Sequence, residues 1–184
     1  MKSVIIFGSQ YGSSKQYAEM LAKSLHVEYF DFQEFNMSKK YDVLIYIGAL
    51  YAGGVKGLSK TLKNYSTDNY NKLVIITVGI ADPKDLKNAE TIRNSIYKQL
   101  PKNLNKEIEL FHVRGSLDYS KLNLQHKLMM KLVYQRARKV PTEKRDEETK
   151  ALLATYNKKA NFIDFNSLQF IIDRYMQIAK EVNI

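Results

Sequence analysis

The stretch Ser3-Val4-Ile5-Ile6-Phe7-Gly8-Ser9-Gln10-Tyr11-Gly12-Ser13-Ser14 passes from an apolar run into a hydroxyl-rich turn centred on glycine, and a helical pattern follows from Lys15 to Leu25. An apolar run of this length bounded by turn residues reads as a buried strand. A strand that ends in such a loop and hands over to a helix has the layout of a phosphate cradle. The first turn of a helix carries backbone N–H groups without intrahelical partners and a partial positive charge, and Ser9, Ser13 and Ser14 add hydroxyls. The same residues also read as an ordinary strand–helix turn with Ser13 or Ser14 as the helix cap. Two other phosphate-loop spellings are absent: there is no lysine-containing GxxxxGK[ST] and no GxGxxG.

Outward from this turn, strands alternate with helices. Val27 to Phe32 reads as a second strand, Asp42 to Gly48 as a third and Leu73 to Gly79 as a fourth. Ile108 to Val113 is the fifth. The third and fourth are almost continuously apolar, as strands covered on both faces are. Helices are expected from about Gly57 to Tyr65, from about Lys87 to Leu100, and from Leu168 to Val182 with Asn166 or Ser167 as cap. This alternation predicts an α/β fold, a doubly wound parallel sheet in a single domain spanning residues 1–184. In such a sheet ligands bind beyond the carboxyl ends of the strands, at the switch point between strands 1 and 3.

Three loops therefore matter. The first is residues 9–14. The second reads Ala49-Leu50-Tyr51-Ala52-Gly53-Gly54, with small residues that let a backbone approach a flat ring and Tyr51 to stack on it. The third reads Gly79-Ile80-Ala81-Asp82-Pro83. Gly53-Gly54 and Asp82-Pro83 also read as plain turn chemistry.

Composition narrows the chemistry. The chain has 184 residues, 45% of them hydrophobic, with 29 basic against 19 acidic side chains for a net charge of +10. That length and apolar content suit one domain with a buried core. With no cysteine and only three histidines there is no disulfide, thiolate ligand or thiol nucleophile, and a metal centre is not expected. No run reaches the length of a membrane span and no signal-peptide pattern precedes the first strand, so a cytoplasmic protein is expected.

The turn resembles the flavodoxin phosphate loop, Ser/Thr-x-Thr-Gly-x-Thr, with Ser9, Gly12 and Ser14 on the pattern and Tyr11 where threonine is usual. The resemblance implies a flavodoxin-like five-stranded sheet of order 2-1-3-4-5 and FMN as cofactor. It assigns the phosphate to Ser9, Gln10, Tyr11, Gly12, Ser13 and Ser14. The ring falls to Ala49, Leu50, Tyr51, Ala52 and Gly53, to Gly79, Ile80, Ala81 and Asp82, and to Gly115 and Ser116 after the fifth strand.

Two features depart from small acidic electron carriers: the positive charge and an insertion over residues 114–148. From Ser120 to Lys139 the pattern is helical, with six basic residues and no acidic one. Lys127, Lys131 and Arg138 fall in a ~40° stripe, with Leu122, Met129, Leu132 and Val133 expected on the opposite side. Such a helix suits an anionic membrane surface or a partner, and equally well packs on its own domain or seals a homodimer. Pro141 to Glu148 alternates in sign and reads as a solvated turn or loop. Arg114-Gly115-Ser116-Leu117-Asp118-Tyr119, Lys127-Leu128-Met129-Met130-Lys131-Leu132 and Phe162-Ile163-Asp164-Phe165 together resemble the bacterial menaquinone-dependent protoporphyrinogen oxidases. These are flavodoxin-fold FMN proteins with an insert at this place, although the aromatic- and arginine-rich stretch they carry before the inserted helix is missing here. The resemblance implies an oxidoreductase passing electrons through FMN to a quinone at the inner face of the membrane, with substrate carboxylates drawn by Lys56 or the basic insert. A non-catalytic electron carrier serving a protein partner is the second expectation. Nucleic-acid binding has charge alone behind it. Asp82 and Asp118 are candidate bases by location only, and no catalytic residue is assigned.

Overall fold

The central strands are buried almost continuously, as a sheet covered on both faces requires. The computed structural model of the chain describes residues 1–36, 39–51, 53–64, 67–102, 104 and 108–182. Strands β1 (Ser3–Gly8), β2 (Glu28–Asp31), β3 (Tyr41–Tyr51), β5 (Tyr70–Gly79) and β6 (Ile108–Arg114) form a parallel sheet in the order β2-β1-β3-β5-β6. Counted without the short β4 (Gly54–Val55), that is the expected 2-1-3-4-5 order; β4 turns back antiparallel on the end of β3.

Side chains of alternate strand residues point to opposite faces. Ile5, Phe7, Val43, Ile45, Ile47, Val74 and Ile76 pack under α1 (Ser13–Leu25) and α6 (Leu168–Val182), which bury Tyr17, Leu21, Leu168, Ile171, Tyr175 and Ile178 at helical spacing. Val4, Ile6, Leu44, Tyr46, Leu73 and Ile75 pack under α2 (Leu58–Asn64) and α3 (Leu86–Tyr97) through Leu58, Leu62, Ile92 and Ile96. Tyr65, the expected end of the second helix, lies outside the described residues. An ionic cluster fastens α6 to the sheet edge: Arg174 grips the Glu109 carboxylate with Nη2 at 2.6 Å and Nε at 2.9 Å, and Lys72 Nζ lies 2.7 Å from it.

The segment after β6 is more structured than expected. β7 (Ser116–Asp118) pairs antiparallel with β8 (Lys159–Asn161), so the excursion from the core runs over residues 119–158, longer than the expected 114–148. It holds α4 (Leu124–Arg138) and α5 (Glu147–Thr155). Pro141 to Glu148 is thus not wholly a loop: residues 142–144 form a 3-10 turn, and Asp146 caps α5 by accepting the Thr149 N–H at 2.8 Å. The closing helix differs in the same way. Asp164 accepts the Asn166 N–H at 2.9 Å and caps a 3-10 turn over Phe165–Ser167 that leads into α6, a role expected of Asn166 or Ser167. Tyr17 ties both ends of the excursion to α1, donating to the Arg114 carbonyl at 2.7 Å and accepting the Asp164 N–H at 3.0 Å.

Candidate functional site

A cavity of about 730 Å³ lies beyond the carboxyl ends of β1, β3, β5 and β6. Its floor takes in Ser9, Gln10, Tyr11, Ser13 and Ser14 from the first loop, Ala49, Leu50, Tyr51 and Gly53 from the second, Gly79, Ile80 and Ala81 from the third, and Gly115 and Ser116 after β6. Gly12 and Asp82 stand outside this lining, and Ala52 lies outside the described residues. Asp82 serves its own turn, its carboxylate accepting the Lys84 N–H at 2.9 Å and its carbonyl the Asn88 side chain.

The first loop is held by its own hydroxyls. Gly12, at φ 95° in the left-handed region that glycine tolerates, precedes α1, and no side chain caps that helix. Its N–H donates to Ser9 Oγ at 2.9 Å. Ser13 Oγ accepts the Ser116 N–H at 2.9 Å and bonds the Ser116 hydroxyl at 3.0 Å, joining the loop to the turn after β6. Neither Ser13 nor Ser14 acts as the cap. Ser14 is fully buried, and its hydroxyl has no hydrogen-bond partner among the described residues although the residue lines the cavity. A buried hydroxyl without a partner is costly unless a ligand completes it. Together with an uncapped helix start, it fits a phosphate monoester.

The second loop is a tight hairpin. Leu50 pairs with Val55 and Tyr51 with Gly54, and Gly53 takes φ 78° between them. Lys56 Nζ donates to Gln10 Oε1 across to the first loop, and Lys56 is not among the residues that line the cavity.

The cavity has a roof supplied by the excursion. His126, Met129, Met130, Val133, Arg136 and Ala137 of α4 and Leu152 and Thr155 of α5 complete its wall. His126 joins the two principal loops: Nδ1 bonds the Tyr11 hydroxyl and Nε2 the Tyr51 hydroxyl at 2.8 Å. Both phenol rings meet the imidazole edge-on. Burial pushes the Tyr11 phenol above its ordinary pKa, with a hydrogen bond to Gln10 opposing and Tyr51 adding, so Tyr11 stays protonated at neutral pH. The sequence reading missed His126, yet a signal was there: residues 126, 129, 130, 133 and 137 recur at the spacing of one helix face.

The outer face of α4 differs from expectation. Leu132 is 52% exposed instead of turned toward the cavity, and Leu124 at 83% and Leu128 at 60% are exposed with it. Leu122 precedes the helix and is buried. Among the described residues no helix is long and apolar enough to cross a membrane, and no cluster of three or more His, Asp or Glu could hold a metal ion.

Residues 4–144 match the Flavodoxin domain family, and the chain belongs to it. Solved structures similar to it include a flavodoxin from the domain Archaea (13% identity, TM-score 0.40, covering 62% of this chain and 85% of that one). Flavodoxin 1 from Bacillus cereus is 15% identical with a TM-score of 0.41, over 65% and 88% of the two chains. A putative flavoprotein from Bacteroides eggerthii is 12% identical with a TM-score of 0.43, over 72% and 97%. Comparison with curated proteins gave no match.

Proposed function

We infer that this chain is an FMN-binding redox protein, an oxidoreductase of the protoporphyrinogen oxidase type that passes electrons to a quinone. The observation that carries the reading is the conjunction at one rim of an uncapped, hydroxyl-lined helix start, including a Ser14 hydroxyl without a partner among the described residues, with a mostly apolar cavity. The backbone N–H groups of residues 10, 11, 13 and 14 and the Ser14 hydroxyl would hold the phosphate, the Gly12 N–H being taken by Ser9 Oγ. Tyr51 and Leu50 on one side and Ile80 and Ala81 on the other would bracket the ring. FMN, when bound, supplies the two-electron and one-electron redox chemistry.

The roof supports an enzyme over an open carrier. Met129, Met130, Val133 and Leu152 give the space above the floor an apolar wall, which suits a flat, lipid-like acceptor. Arg136 lines the same cavity and is the cation placed for a substrate carboxylate, since Lys56 is not among the lining residues. The second reading, a non-catalytic electron carrier serving a protein partner, has the family fold behind it.

A peripheral contact with an anionic membrane is part of the proposal. Exposed leucines at positions 124, 128 and 132 lie beside Lys127 and Lys131, a pattern suited to a helix resting in the headgroup layer. Arg138 belongs to the same basic stripe.

Titration of the purified protein with FMN, riboflavin and FAD, followed by absorption and fluorescence, tests the cofactor. Saturable FMN binding that riboflavin does not match is expected. Failure of all three to bind overturns the reading. Anaerobic turnover of protoporphyrinogen with a menaquinone analogue then separates the enzyme from the carrier, which would turn over neither.

A further inference from the structure

Ligands of doubly wound sheets enter the crevice at the switch point, which here lies between the carboxyl ends of β1 and β3. Tyr11 stands on the β1 side of that crevice and Tyr51 on the β3 side, and His126 bonds both, so one imidazole from the excursion lies as a bar across the entrance. A neutral imidazole donates from one nitrogen and accepts at the other, so the two phenols take opposite roles and both bonds can form at once.

The bar sits on a weakly anchored helix. Ala137 is the only buried side chain among the described residues of α4; the rest of its inner face lines the cavity. The Asn123 carboxamide accepts the His126 N–H at 2.8 Å and fixes the first turn, and beyond the buried Leu122 that precedes it the imidazole bonds tie that end of α4 to the floor. Elements with few buried apolar contacts open most readily in native proteins.

We propose that His126 is a latch on the flavin site, a positioning residue that bonds Tyr11 and Tyr51 from α4 so that FMN enters and leaves only when these bonds open. The proposal rests on the FMN assignment above. Each neutral hydrogen bond shifts an opening equilibrium by a factor of about two to ten, so loss of both raises the open fraction by roughly four- to a hundredfold. A latch slows entry and exit together; a side chain that only holds the cofactor slows exit alone.

Stopped-flow fluorescence of FMN with the apoprotein reads the two rates. His126→Ala is expected to raise association and dissociation rates by about tenfold each, with the ratio nearly unchanged. Tyr11→Phe and Tyr51→Phe should each give part of the effect, and His126→Gln, which keeps a donor and an acceptor, should recover much of the slow exchange. Faster dissociation with unchanged association, or no change in either, overturns the latch. Hydrogen exchange of the protein without flavin is the independent measurement: in His126→Ala, amides in the first turn of α4 and at residues 10–12 should exchange faster, while those of central β3 stay protected. If the unaltered protein takes up no FMN, the cofactor assignment fails, and unchanged amide exchange overturns the clasp itself.

Discussion

A Cβ placed on Gly8 would stand 2.1 Å from the carbonyl oxygen of Lys56. The same carbonyl accepts the Tyr46 phenol at 2.6 Å, so the end of β1, the centre of β3 and the turn into α2 converge at one point with no room for a methyl group. Gly8→Ala must push backbone rather than a flexible side chain. It should destabilise by about 1–3 kcal/mol, a fall in Tm of roughly 3–10 °C by calorimetry. FMN affinity should fall with it, since the displaced turn carries Lys56 and, through Lys56, Gln10. An unchanged Tm would show that the turn yields without cost.

Ser14→Ala separates ligand binding from folding. The hydroxyl has no partner among the described residues, so removing it should leave apoprotein stability unchanged or raise it by up to about 1 kcal/mol in urea. A hydrogen bond to a charged phosphate is worth about 1.5–3 kcal/mol, so FMN affinity should fall about ten- to a hundredfold while riboflavin affinity is untouched. Equal losses for both ligands would detach Ser14 from the phosphate.

Glu109 controls the acid side of stability. Burial raises its pKa, but the Arg174 and Lys72 bonds outweigh this and hold the carboxyl below its ordinary range. The folded state therefore binds fewer protons than the unfolded chain below about pH 5. The contribution is fully present above the unfolded pKa, about 4.3, and is lost as pH falls through the folded one. Glu109→Gln should cost about 1–3 kcal/mol at pH 7 and flatten the loss of stability between about pH 5 and pH 2. Parallel pH curves for variant and parent would refute the assignment.

Membrane contact through α4 is tested by co-sedimentation with phosphatidylglycerol vesicles, with phosphatidylcholine vesicles as control. A basic residue near an anionic surface is worth about 1 kcal/mol, so reversing Lys127 and Lys131 to glutamate together should weaken binding at least thirtyfold. Leu128→Asp should also weaken it, and high salt should suppress what the charges supply. Binding indifferent to all three changes would remove α4 from the membrane.

The central sheet was legible because its signal is local. The apolar runs of β1, β3 and β5 and the intervening helical periodicity give the strands and their alternation with helices, while the order they take came from the resemblance to flavodoxins. The floor of the cavity followed from the same rule, since loops at the carboxyl ends of neighbouring strands meet. The roof did not. β7 and β8 are three residues each and have meaning only as a pair separated by forty residues of chain, and α5 begins among alternating charges that mimic a solvated turn. The outward turn of Leu132 is also a tertiary fact: the inner face of α4 is claimed by His126, Met129 and Met130, which reach the cavity, and the leucines are left over.

The pairing of Ser116–Asp118 with Lys159–Asn161 means that the chain departs from the core and returns to it on adjacent strands, about 5 Å apart. A segment whose two ends are neighbours can be exchanged for a short turn without altering the path of anything else. The architecture is therefore modular: a floor of loops at the rim of the sheet, and a cover that joins the rest of the chain at a single pair of short strands.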